Sequence, residues 1–165
     1  MATPALDHVL RHNAWANKEL LELCVRLDPA TLALSVPGTY GTLQRTVQHI
    51  VGGEQFYILL LTGEVVGTPA GERHTRTIAE LLVTSTLTGA RAIAIAASDD
   101  ADRPIKSDGD PTATTVGTVL AQLVNHANEH RAQAATILGA HGRETPVLSA
   151  WRYGIKTGIS KLDGD

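Results

Sequence analysis

Apolar residues recur at three- and four-residue intervals through four long stretches of the chain, the period of helices buried along one face. The first stretch predicts a helix from about Pro4 to Leu27, with Leu6, Val9, Ala16, Leu20, Leu23, Cys24 and Leu27 on its inner stripe. Thr3 supplies an N-cap, Pro4 suits the first helical position, and Asp7 suits the positive end of the helix dipole. In the second, Thr42 to Leu61, Leu43, Ile50, Tyr57 and Leu61 share a face, while His49, Gly53, Phe56 and Leu60 run along the adjoining strip. The capping box Thr77-Ile78-Ala79-Glu80 opens a third helix to about Ala97, carried by Ile78, Leu81, Ser85, Thr88, Ala92 and Ile95. A fourth begins near Thr114 or Thr115 and ends near Gly139 or Gly142, with Val116, Val119, Leu120, Leu123, Ala127, Ala134, Ile137 and Leu138 facing in.

The segments between these stretches carry breakers. Asp28-Pro29 starts one short turn through Leu34, which Val36-Pro37-Gly38-Thr39-Tyr40-Gly41 ends. Thr62 to Thr75, with His74, reads as a surface loop, and Arg103 to Pro111 as an extended arm with a tight turn or small hairpin. Thr145-Pro146 is expected to cap a shorter helix bearing Trp151 and Tyr153, and Lys161 to Asp165 to fray. The prediction is an all-α domain over residues 1–165, a four-helix bundle of up-and-down type with a short extra C-terminal helix.

Several polar residues fall inside the apolar arcs. Asn13 and Asn17 lie in the first stripe, where an amide without a partner costs roughly 1–3 kcal/mol; they tie helix to helix or line a wet cavity. Trp15 projects away from the stripe and needs cover from another segment, whereas His8 and His12, at its edge, read as solvent-exposed. Gly52-Gly53 costs roughly 1 kcal/mol per glycine inside a helix, so close approach of another helix or of a ligand is expected there. Glu54 falls on the far side of the apolar face and reads as solvated.

His126 and His130 stand four residues apart within the fourth stripe, so both rings point inward and offer a bidentate chelate. His49 also faces inward, and the bundle can bring it to the other two. His49, His126 and His130 therefore form a candidate triad for Zn²⁺ or Ni²⁺, with a coordination position left for water or substrate. The alternative is three core histidines satisfied by hydroxyl or backbone groups.

Composition narrows the partners. With 43% hydrophobic residues over 165 positions, the chain can bury a core without metal or disulfide. The lone Cys24, among leucines, reads as a small buried apolar residue, as suits a reducing cytoplasm. The net charge of -3 with scattered basic residues gives no footprint for nucleic acid. No signal-peptide pattern is expected, and no apolar run approaches the ~18 residues of a membrane span. These features predict a cytoplasmic protein acting on a small molecule.

The segments His12-Asn13-Ala14-Trp15-Ala16-Asn17, Gln48-His49-Ile50-Val51 and Asn125-His126-Ala127-Asn128-Glu129-His130-Arg131-Ala132-Gln133 resemble the three signature stretches of the DinB/YfiT-like superfamily of metalloenzymes, in order and spacing over nearly the whole chain. The resemblance implies an up-down-down-up four-helix bundle, a divalent metal on His49, His126 and His130, and a homodimer. It also implies thiol-dependent S-transferase or isomerase chemistry with a low-molecular-weight thiol co-substrate. Ala132 stands where many members have glycine. His126-Ala127-Asn128-Glu129-His130 also fits H-x-x-E-H, the inverted zinc-peptidase pattern, but those peptidases need a larger domain and a distal carboxylate ligand. Glu129 is a candidate to orient a ligand or accept a proton, set against a solvated partner for Arg131 or Arg143. A metal-dependent transferase, a hydrolase and a non-catalytic metal-binding stress-response protein all remain open at this point.

Overall fold

Local sequence signals place the ends of most elements in the computed structural model of the protein, which describes residues 4–71, 73–105 and 114–161. The long helices are α1 (Pro4–Val25), α3 (Leu43–Thr62), α4 (Ile78–Ser98) and α5 (Val116–Ala140), with short α2 (Pro29–Leu32) and α6 (Ala150–Lys156). The Asp28 side chain accepts from the Thr31 N–H, and Thr42, Thr77 and Thr115 cap α3, α4 and α5 in the same way. Glu80 completes the capping box on α4. The Gly63 C-cap of α3 takes the left-handed conformation (φ 74°) that glycine reaches without strain. The Thr3 cap, the turn of the predicted hairpin and the C-terminal tail beyond Lys161 lie outside the described residues; the hairpin's ends pair as β1 (Pro104–Ile105) and β2 (Thr114–Thr115), antiparallel.

Two core clusters define the helix directions. One joins Leu20, Leu21, Leu23 and Cys24 to Leu43, Val47, Ile50, Ile78, Leu81, Ala134, Ile137 and Leu138. The other joins Leu10 to Ile58, Leu61, Ala92, Ile95, Val116, Leu120 and Leu123. The C-terminal half of α1 thus meets the start of α3, the start of α4 and the end of α5, so α1 and α5 run one way and α3 and α4 the other. Around the bundle α1 neighbours α4 and α5, and α3 neighbours the same two. The order is up-down-down-up. The simple up-and-down alternation expected from the helical periodicity thus fails between α3 and α4, while the up-down-down-up order that the resemblance implies holds; two parallel helices need a connection that returns the full length of the bundle.

Residues 66–71 and 73–76 make that return as a strap along α3, held by three glutamines. Gln55 Nε2 donates to the carbonyls of Val66 (2.6 Å) and Thr68 (2.9 Å), and its Oε1 accepts from the Ala70 N–H (2.7 Å). Gln48 donates to Gly71 and His74 carbonyls and accepts from the Arg76 N–H; Gln44 donates to the Arg76 carbonyl. A strap without secondary structure of its own would otherwise leave these backbone groups unpaired against the bundle.

Other expectations need correction. Val9 is 43% exposed and Leu10 takes its place in the core; Phe56, expected inside, is 58% exposed. α1 stops at Val25 and α6 is capped by Ser149, with Thr145-Pro146 in the preceding irregular segment. α4 is long and apolar enough by composition to cross a membrane, contrary to the reading of the sequence, but Thr84, Ser85 and Thr88 are buried on its inner face as part of the bundle core. Trp15 is covered as predicted: the rings of His12 and Tyr153 lie 5.9 and 5.6 Å away. Cys24 is buried, and desolvation pushes its thiol up to about 12.

Candidate metal centre

His49 projects from the middle of α3, and His126 and His130 from one face of α5, the helix packed against it. One nitrogen of each ring lies within 4.8 Å of the others, and the ring centroids are 4.6–4.8 Å apart. His49 Nε2 and His126 Nε2 approach to 3.0 Å. Two nitrogens on a tetrahedral zinc, at 2.0–2.1 Å from the ion, stand about 3.3 Å apart, so the cluster is close to the spacing a cation needs. The sequence-predicted triad is thus brought together, and no fourth histidine, cysteine or carboxylate joins it among the described residues.

The protein alone does not satisfy this cluster. His126 Nδ1 is buried without a hydrogen-bond partner. Desolvation first, then the neighbouring imidazoles, lowers the His49 pKa to about 4; His126 is lowered too, by burial and by His130, against a smaller opposing pull from Glu129. Both rings are therefore neutral at pH 7, the form that binds metal. Neutral donors and convergent geometry fit a divalent cation.

Gly53 makes room for this arrangement. A Cβ there would collide with His126 Cε1 and lie 2.7 Å from its Nδ1, while a Cβ on Gly52 would sit 3.1 Å from the Ala70 carbonyl oxygen of the strap. The costly glycine pair is thus explained by close approach on two sides. Beside it opens a cavity of about 260 Å³ lined by His49, Gly52, Gly53, Phe56, Tyr57, Ala70, Gly71 and His126. None of these lining residues is charged at neutral pH. On the other side, the Tyr40 ring stacks on His49 at 3.9 Å and meets His130 edge-on at 5.3 Å.

Glu129 is exposed and accepts from Asn125 Nδ2 at 3.2 Å. Arg131 does not pair with it, because the guanidinium is buried on the opposite side of α5, donating to Asn13 Oδ1 (2.7 Å) and Asn17 Oδ1 (2.6 Å). The same two amides donate to Glu54 Oε1, and Thr88 and Ser85 reach Glu54 Oε2 at 2.7 and 3.4 Å. Glu54, read as solvated from its place on the helical wheel, is 1% exposed and connects all four long helices. Burial pushes its carboxyl above the usual range, opposed by Thr88, Arg131, Asn13 and Ser85. A signal was present in the sequence: Asn13, Asn17, Ser85 and Thr88 all fall in apolar stripes, and four buried donors require an acceptor.

The sequence matches the DinB family over residues 1–157 of 165. The fold is similar to the crystal structure of a DinB-like protein from Bacillus cereus ATCC 10987, with a TM-score of 0.64, 18% identity, and coverage of 83% of this chain and 91% of that one. No curated protein matches the sequence.

Proposed function

We propose, from the premise that this chain belongs to the DinB family, that it is a divalent-metal-dependent enzyme whose centre is His49, His126 and His130, acting as a thiol S-transferase on a small electrophile. The observation that carries this reading is three mutually close histidine nitrogens, two of them on rings (His49 and His126) that line a cavity of about 260 Å³, with no fourth protein ligand among the described residues. A purely structural zinc site is closed by four protein ligands, whereas a catalytic one keeps a position open. When bound, Zn²⁺ or Ni²⁺ would supply Lewis acidity that holds a coordinated thiol as thiolate at neutral pH. The protein's own part is to present neutral imidazoles and, through Gly52, Gly53, Phe56, Tyr57 and Ala70, to receive an uncharged acceptor beside them. Glu129, exposed and bonded to Asn125, has no assigned part in this reading.

The test begins with metal content: purified protein reconstituted with Zn²⁺ or Ni²⁺ is expected to hold about one ion per chain, and His126→Ala with His130→Ala to lose it. Full occupancy in the double variant overturns the site. The metal-loaded protein is then expected to accelerate conjugation of a low-molecular-weight thiol to chlorodinitrobenzene, and His130→Ala to abolish the acceleration. Metal-dependent cleavage of an activated ester without any thiol effect would replace transferase by hydrolase.

A further inference from the structure

Gln133 stands three residues beyond His130 on α5. Its Oε1 lies 2.9 Å from the Tyr40 backbone nitrogen and 3.1 Å from His130 Nδ1. A backbone N–H can only donate, so it is the amide oxygen, not the amide nitrogen, that faces Tyr40. That oxygen can only accept, so His130 Nδ1 must carry the hydrogen of the second bond. In a neutral imidazole this leaves Nε2 with its lone pair free. One side-chain oxygen thereby sets the tautomer of one candidate ligand.

The same oxygen holds the loop that contacts a second ligand. Tyr40 sits in a turn between α2 and α3 where Gly38 takes a left-handed conformation (φ 87°), Leu43 N–H donates to the Leu34 carbonyl at 2.8 Å, and Ser35 bridges Thr42. From there its ring lies on His49, 19° from parallel. We propose that Gln133 is a positioning residue of the metal centre: it holds His130 as the Nδ1–H tautomer with Nε2 as the metal-binding atom, and it latches the Tyr40 loop so that the tyrosine ring fixes the plane of His49. The positioning role rests on the reading of the three histidines as a divalent metal site; the tautomer follows from the hydrogen-bond geometry alone.

Long-range ¹⁵N–¹H NMR of the histidine rings in metal-free wild-type protein should show His130 as the Nδ1–H form, and Gln133→Leu should convert it to a mixture of tautomers. In a Zn²⁺ titration against a chromophoric chelator, Gln133→Leu should lower affinity by about 10–100-fold. Gln133→Glu keeps an acceptor facing both donors, so it should retain a single tautomer and most of the affinity. A helix-packing role alone would move neither the tautomer nor its rescue by glutamate. An Nε2–H form in the wild type, or unchanged tautomer and affinity in Gln133→Leu, overturns the proposal. If Gln133→Leu does not fold, the wild-type spectrum and Gln133→Glu decide it. A wild-type protein that shows the Nδ1–H form but binds no Zn²⁺ overturns the metal-centre reading, and the positioning role with it.

Discussion

Two polar clusters lie within one bundle, a few residues apart along α3 and α5, and they differ in whether the protein completes them. At Glu54 each carboxylate oxygen accepts hydrogen bonds from side chains, and Arg131 reaches it through two amides that donate on one side and accept on the other. The space lined by Asn17, Leu20, Leu21, Val47 and Ile50 beside it has no room for a water molecule. At the histidine cluster a cavity opens beside His49 and His126, and His126 Nδ1 is the unpartnered buried side-chain atom found among the described residues. A saturated network is a device for holding helices in register; an unsaturated one next to open space is where a ligand belongs. Burial alone would have ranked them the wrong way, since Glu54 is the more deeply buried of the two.

That contrast is most directly broken at Arg131. Replacing it by methionine strands the Glu54 carboxylate without its charge partner, and removing one member of a buried charge network costs about 3–5 kcal/mol. For a chain of this length that is a fall of roughly 6–20 °C in melting temperature, measured by circular dichroism on metal-free protein. A fall within 2 °C would show that the two amides and two hydroxyls suffice without the guanidinium.

Gly53→Ala sharpens the contrast from the other side. Its added methyl meets the far end of the His126 ring, which can swing away, so the stability change should be small and the Zn²⁺ affinity should drop by an order of magnitude or more. Calorimetry and metal titration on the same sample separate the two. Equal affinity in the variant would mean that His126 binds from another rotamer or not at all.

The smallest effect expected is the response to acid. Folded His49 takes up its proton near pH 4, whereas the unfolded chain does so near the ordinary 6.5. Between those values the unfolded state binds more protons, so metal-free stability should decline as pH falls from 6.5 to 4. His126, lowered for the same reason, adds to the decline, while Glu54, raised by burial, has the opposite slope, since its deprotonation disfavours the folded state as pH rises. His49→Phe should flatten the acid limb of a stability-versus-pH curve, and an unchanged limb would assign it to another group.

The sequence by itself determined where α2, α3, α4 and α5 start, though not the end of α1 or the cap of α6, because caps, proline positions and the periodicity of apolar residues act within a few residues of one another. The Asp28, Thr42, Thr77 and Thr115 caps and the inward pair His126 and His130 were legible for that reason. The inner stripe of α4 was legible too, from Ile78 through Ile95, all buried. Only the tertiary structure decided which arc of α3 is inside. That helix touches α4, α5 and the strap at once, so its buried arc is wider than the one apolar stripe on which a wheel is centred; Glu54, Gln48 and Gln55 are drawn in, and Phe56 is left out. The parallel course of α3 and α4, which periodicity did not give and only the family resemblance implied, is held by packing, since a strap bound to Gln44, Gln48 and Gln55 spans the bundle. Polar groups at inner positions are cheap only when partners from other helices meet them, and those partners are set by the three-dimensional arrangement of segments distant in the chain.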